Sequence, residues 1–230
     1  MTQAADDTDP QSRPIRVALV DDQALFRSGL RMLIESQPDM SVVGEAADGR
    51  AAVAMVARAA PDVVLMDIRM PVADGIAGTE GIIADADARD AAPPRIIVLT
   101  TFDLDEAAAR AIRAGASGFV LKDAEPEFLL SAIRTVHAGT AVLAPSATAE
   151  LFQHFGSGPR GADASVLAEL SDREREIFML AARGLSNAEI AAHEYVSEAT
   201  VKTHISRVLG KLGLRDRVQL VVFAYEHGVL

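Results

Sequence analysis

The chain has 230 residues, half of them apolar, and a formal net charge of −11, so it can hold one large domain or two small ones and is too acidic to be a uniformly basic nucleic-acid binder. It contains no cysteine, which excludes disulfides and thiolate chemistry. No apolar run reaches the roughly 18 residues of a membrane span, and the polar, acidic start "MTQAADDTDPQSRP" lacks the features of a signal peptide; a cytoplasmic protein with no membrane association is expected.

Residues 1–13 read as a disordered lead-in. Five short apolar runs follow: "IRVALV" (15–20), "SVVGEA" (41–46), "DVVLM" (62–66), "RIIVL" (95–99) and "GFVL" (118–121). They are rich in β-branched residues, as expected of parallel strands covered on both faces. Amphipathic patterns lie between them; in Gln23–Gln37, Phe26, Leu30, Leu33 and Ile34 share one helical face. Strands alternating with helices predict an α/β doubly wound five-stranded parallel sheet over residues 14–138.

Residues 139–165 read as a linker, with "FGSGPRGADAS" (155–165) its most Gly- and Ser-rich part. Beyond Leu170 no strand pattern survives, and residues 166–230 are expected to form a small all-α domain. Ser171 stands three residues before Glu174, a capping-box spacing; Asn187 can cap "NAEIAAHE", and Ser197 can cap the helix that begins near Glu198. "RDRVQLVVFAYEHG" is the last helical pattern.

Three carboxylates fall at strand ends: Asp21 and Asp22 after the first strand, Asp67 after the third. In a doubly wound sheet these ends gather at the edge where ligands bind. Three acids there repel one another unless a cation joins them, and an all-oxygen donor set with room for water suits Mg²⁺. Thr100 and Lys122 follow the fourth and fifth strands. Lys122 is the only lysine before Lys202, in a stretch (1–165) that holds 13 arginines, so a compact ammonium is expected at this edge as a point-charge partner to a phosphoryl oxygen. Neutralised in this way, Asp67 can serve as a nucleophile that accepts a phosphoryl group.

The segments "ALVDDQ", "VVLMDIRMP", "VLTTFD" and "AGASGFVLKD" resemble the receiver domain of bacterial two-component response regulators, over roughly residues 15–138. The resemblance implies a flavodoxin-like fold with Asp67 as phosphoacceptor. It implies Mg²⁺ on Asp21, Asp22, Asp67 and the Arg69 backbone carbonyl, Thr100 as switch hydroxyl, and Lys122 and Phe119 completing the phosphoryl-binding and switch set. Arg69 and Phe102, two residues beyond Asp67 and Thr100, are expected to shield the acyl phosphate from water. A Mg²⁺-dependent phosphohydrolase of the haloacid-dehalogenase type is disfavoured, because such enzymes carry Asp where Arg69 stands. A regulator that ignores phosphate and acts by protein contacts is the other alternative.

Residues 166–230 resemble the LuxR-type helix-turn-helix of the NarL/FixJ regulators. Val201, Ile205, Val208 and Leu212 are spaced to pack inward. The resemblance makes Lys202, Thr203 and Ser206 base readers and Thr200, Arg207 and Lys211 phosphate contacts. Glu194 departs from the commoner Leu before the turn. Thr200–Arg217 carries five basic residues and one acid, whereas residues 1–165 carry net −10. An acidic receiver beside this stripe is expected to compete with DNA phosphates. The implied protein is no metabolic enzyme: a sensor histidine kinase phosphorylates it, it then dimerises, binds double-stranded promoter DNA and controls transcription with RNA polymerase.

Overall fold

A computed structural model describes residues 13–100, 106–139 and 164–230. Strands β1 (Ile15–Val20), β2 (Met40–Ala46), β3 (Val63–Asp67), β4 (Arg95–Thr100) and β5 (Gly118–Leu121) form one sheet in the order β2-β1-β3-β4-β5, every neighbouring pair parallel. Helices α1 (Ala24–Glu35), α2 (Gly49–Ala59), α3 (Gly75–Ala88), α4 (Glu106–Arg113) and α5 (Pro126–His137) make the crossovers. One sheet face packs Val17, Leu19 and Leu65 under Ile34 of α1 and Ile133 of α5. The other packs Val64, Met66 and Val98 under α2, α3 and α4 through Val56, Ile82 and Ala111. Both faces are therefore dry, which is why the strands are continuous apolar runs.

The order reverses between β1 and β3, so the chain leaves these two strands in opposite directions and opens a crevice at their carboxyl ends. Asp21 and Asp67 stand at that crevice. The loop after Asp67 is fixed by close approach: a Cβ on Gly75 would lie 2.0 Å from the Asp67 carbonyl oxygen. Val72 adopts φ +72°, with Ala73 N donating to Pro71 O at 2.9 Å, a γ-turn that a β-branched residue occupies under strain.

A 3₁₀ turn (Ala164–Leu167) leads into α6 (Asp172–Ala182), α7 (Asn187–Glu194), α8 (Glu198–Lys211) and α9 (Arg217–Glu226). Phe178, Ile190, Val201, Val208 and Leu220 form their separate core. The capping box at Ser171 and Glu174 forms as the spacing predicts, and Ser197 caps α8 by accepting from Thr200 N. Asn187 does not cap α7. Ser186 does, with Glu189 completing a second capping box, and the Asn187 side chain accepts from Arg217 Nη1 at 2.6 Å instead. The lead-in to residue 12, the linker from 140 to 163 and Phe102 lie outside the described residues.

Helix α9 also packs on α4. Val218 and Val222 bury against Ala108, Ala109 and Ile112, with Phe119 and Tyr225 at the margin. Gln219 Nε2 donates to the carbonyls of Ile112 (2.9 Å) and Ala116 (3.2 Å), and Arg215 Nη2 donates to Gly115 O. Arg95 Nη1 donates to Arg215 O at 2.7 Å and lies 3.4 Å from Asp216 Oδ2.

Candidate functional site

The sequence-predicted acids meet. One carboxylate oxygen from each of Asp21, Asp22 and Asp67 lies within 4.8 Å of the others, with Asp21 and Asp67 buried and Asp22 exposed. Lys122 Nζ sits 2.7 Å from Asp21 Oδ2 and 2.8 Å from Asp67 Oδ2, bridging the two strand ends. Asp21 Oδ1 accepts from Gln23 N at 2.8 Å, and Asp67 Oδ1 from Arg69 N at 3.3 Å. Burial raises the Asp67 carboxyl above its ordinary value; Lys122 opposes that by hydrogen bond and charge, while Asp21 adds to it. Burial pulls the Lys122 ammonium down, but its two carboxylate partners outweigh that and leave it raised. The donor set is all oxygen, clustered and open on the Asp22 side, which fits a divalent cation of the hard class.

Thr100 is buried at the end of β4, two strands from Asp21, and Phe119 is half-buried on β5 opposite Val98. Arg69 is exposed. One contributor went unread in the sequence: Phe26, assigned above only to the apolar face of α1, lies with its ring centroid 4.9 Å from Lys122 Nζ. Its aromatic face supports the ammonium that bridges the acids.

In the helical domain, Ser197 ends a turn that starts where Tyr195 adopts φ +55°. Glu194, which stands where an apolar residue is common, is held by Arg173 and by His193 Nδ1 at 2.7 Å, so the departure is met by an ion pair. All six expected DNA contacts are exposed on α8. Lys202, Ser206 and Arg207 have no side-chain partner among the described residues. Thr200 shares a hydrogen bond with Ser197 Oγ at 2.9 Å, and Thr203 Oγ1 donates to Ala199 O. Lys211 is committed elsewhere: its ammonium contacts Glu174 Oε2 at 2.6 Å and Glu169 O at 3.2 Å, joining α8 to α6.

The basic stripe needs correcting in its second half. Arg215 turns to the receiver, and Arg217 is buried with Asn187 and the Leu185 carbonyl as acceptors, its guanidinium pushed down to about 10 by burial. The turn at Gly213 (φ +64°) carries both off the α8 face. Among the described residues no ion pair joins a receiver acid to the stripe, although Asp87 of the receiver attracts Arg215 across the seam. The ion pair across the seam has the opposite polarity, with the base, Arg95, on the receiver side and the acid, Asp216, on the helical side.

Comparison with known proteins agrees with this division. The family described as "Response regulator receiver domain" matches residues 17–134, and the family described as "Bacterial regulatory proteins, luxR family" matches residues 168–224. The uncharacterized transcriptional regulatory protein YxjL of Bacillus subtilis (strain 168) is 43% identical over 218 residues, 94% of this chain and 97% of its own. The response regulator protein VraR of Staphylococcus aureus (strain NCTC 8325 / PS 47) is 33% identical over 216 residues, 94% of this chain and 99% of its own. Among solved structures, a LuxR-family two-component response regulator from Aurantimonas sp. SI85-9A1 is 36% identical, with a TM-score of 0.54 over 61% of this chain and 97% of that one. No helix among the described residues is long and apolar enough to cross a membrane. With an acidic crevice at the receiver's sheet edge and a capped, exposed helix after the turn, the chain belongs to the DNA-binding response regulators of two-component systems, a receiver domain followed by a LuxR-type helix-turn-helix.

Proposed function

We propose that a partner sensor histidine kinase phosphorylates this regulator on Asp67, and that the modified protein dimerises and controls transcription in the cytoplasm, engaging RNA polymerase at the promoter. The observation that carries the reading is Lys122 lodged between Asp21 and Asp67. In the transfer, an Asp67 carboxylate oxygen forms a bond to phosphorus while the donor's bond to phosphorus breaks and its leaving nitrogen or oxygen takes the electron pair. Lys122 meets the incoming phosphoryl oxygens as a point charge, and Thr100 supplies a hydroxyl at the next strand end. Asp21, Asp22, Asp67 and the Arg69 carbonyl would hold Mg²⁺. Its contribution when bound is to neutralise charge on the carboxylates and on the phosphoryl oxygens.

The functional divisions run 14–138 for the receiver, 139–165 for the linker and 166–230 for DNA binding. On α8, the proposed base readers are Lys202, Thr203 and Ser206 and the proposed phosphate contacts Thr200, Arg207 and Lys211; the exposure of all six supports the reading, and Thr200, Thr203 and Lys211 would first exchange their local hydrogen bonds. The test is labelling with a small acyl-phosphate donor and Mg²⁺. Wild type gains one phosphoryl group by intact mass and Asp67→Asn gains none; equal gain in both proteins refutes the assignment.

A further inference from the structure

We propose that the cleft between the receiver and α8 is a binding site for a small organic phosphate, with its phosphoryl end held by Arg95, Arg215, Arg217 and Lys202 and its apolar body laid against Ile205 and Leu209. The site is separate from the Asp67 crevice: Arg95 opens β4, whereas Asp67 closes the neighbouring parallel strand β3. Binding of the ligand is independent of the reading of α8 as the DNA contact; only its competition with DNA rests on that reading.

The cleft has a volume of about 750 Å³, the size of a small-molecule site, and it lies between two domains, where such sites commonly form. One wall is the flank of α8 that carries Lys202, Ile205, Ser206 and Leu209; the other is Arg95, Ala138 and Gly139 of the receiver. Arg215 and Arg217 line it as well, and Glu198 is the one acid among its described lining residues. Positive charge is therefore in clear excess on a partly desolvated surface, where each unscreened charge interacts more strongly than in water. Guanidinium forks and a compact ammonium together suit the several oxygens of a phosphoryl group better than the two of a carboxylate.

The cations on the lining are poorly matched by the protein itself. Arg217 is 7% exposed, its two printed acceptors, Asn187 Oδ1 and the Leu185 carbonyl, are neutral, and its Nε is buried with no hydrogen-bond partner. A buried cation without a counter-charge is costly, and an orphaned donor beside it adds to the cost. Arg215 likewise donates to a neutral acceptor, the Gly115 carbonyl. Burial lowers its guanidinium, Asp216 and Asp87 oppose that, and Arg95 adds to it by like-charge repulsion. Arg95 meets Asp216 only at 3.4 Å. The start of α7, at Ser186 and Asn187, lies on the same lining and adds the partial positive charge of a helix N-terminus. An anion in the cleft would relieve these unmet charges together, and the side chains of Ile205, Leu209 and Leu214 offer its remainder an apolar surface.

Lys202 and Ser206 give the site a consequence. Both belong to the cleft wall and to the face of α8 proposed to read bases. A ligand seated there covers the flank that would enter a major groove, so ligand and DNA exclude one another, and by linkage each weakens the other by the same factor.

The test is calorimetric titration of the full-length protein with phenyl phosphate and, separately, with inorganic phosphate. Phenyl phosphate should bind one equivalent at least about tenfold more tightly than inorganic phosphate, because its ring adds apolar burial. The affinity should be the same with and without Mg²⁺; binding that requires Mg²⁺ places the probe in the Asp67 crevice and overturns the proposal. Arg95→Ala should weaken phenyl phosphate about tenfold or more, as expected for the loss of a charge-assisted hydrogen bond. Ser206→Trp, at an exposed position, should fill the cleft and abolish binding with the melting temperature unchanged. Unchanged affinity in both variants, or equal affinity for the two probes, overturns the site. Binding that is lost in Lys202→Ala and kept in Arg95→Ala puts the anion on the helical domain alone and overturns it as well. Saturating promoter duplex should displace the probe. If both variants weaken phenyl phosphate and the duplex still fails to displace it, the site stands and the reading of Lys202 and Ser206 as DNA contacts falls.

Discussion

Two lysines show how differently the two domains use charge. Lys122 has 11% of its side chain exposed and lies between two carboxylates that are nearly dry; Lys211 is 41% exposed and pairs with one carboxylate of its own domain. In the receiver, like charges are forced together at a sheet edge and the lysine is what makes that tolerable. In the helical domain the lysine fastens α8 to α6, and two other cations of α8, Lys202 and Arg207, stand on the helix surface without such a task. A site that binds a small anion is built from desolvated groups fixed by backbone, whereas a face that binds DNA phosphates keeps its cations hydrated until the partner arrives.

The change with the largest expected effect separates the two cores. Phe178 is fully buried and packs edge-on to Phe223 at 6.3 Å. Phe178→Ala should cost about 3–5 kcal/mol within α6–α9. Hydrogen exchange resolved by segment should show that loss there and leave β1, β3 and β4 protected as before. Equal loss in both regions would make the protein a single cooperative unit joined through α4 and α9.

Next in size is the contrast between the lysines themselves. Lys122→Ala leaves Asp21 and Asp67 facing each other without a counter-charge; discounted for the residual exposure of Lys122, the cost should be about 2–3 kcal/mol, part of it recovered by added Mg²⁺. Lys211→Ala should cost under about 1 kcal/mol, because water can replace an exposed ammonium. Urea unfolding with and without Mg²⁺ measures both. A greater cost at Lys211 than at Lys122 would reverse the contrast.

The helix start at Ser186 gives a smaller effect. Ser186→Ala removes the hydroxyl that accepts from Glu189 N and should cost about 1 kcal/mol in thermal or urea unfolding. No change would mean that α7 is held by packing alone. The same position shows what the sequence leaves open. Ser186 and Asn187 are both cap types, and periodicity cannot place a boundary to one residue. What decides is that the buried guanidinium of Arg217 claims the Asn187 side chain. The strand-end acids, Thr100 and Lys122 were legible because the chain order of strands dictates where their ends lie. Phe26 under Lys122 was not, since helix α1 and the end of β5 are brought together only by the fold. Nor was the role of Gln219, because its acceptors are backbone carbonyls, which every residue type carries. A linear count of charge likewise credited Arg215 and Arg217 to a DNA-facing stripe that the turn at Gly213 takes them away from.

The smallest effect is confined to acid and tests what Lys211 does. Glu174 Oε2 accepts from Lys211 Nζ at 2.6 Å, from Ser171 N at 2.9 Å and from Ser171 Oγ at 3.0 Å. The hydrogen bond from Lys211, followed by that from the Ser171 amide, lowers the carboxyl from its ordinary 4.5 to about 2. A group whose folded value lies below its unfolded value stabilises the fold above the unfolded value, and that contribution fades as pH falls through the window between the two. The helical domain should therefore lose the Glu174 contribution progressively from about pH 4.5 towards pH 2. Glu174→Gln keeps the shape, cannot ionise, and should show a shallower fall in melting temperature over that window, while above it the variant should be the less stable of the two. Lys211→Ala should move the Glu174 titration, followed by carboxyl carbon shifts, back towards its ordinary value while leaving the Ser171 amide bond in place. If the titration does not move, the cap alone sets the Glu174 charge, and the contact with Lys211 contributes nothing to it.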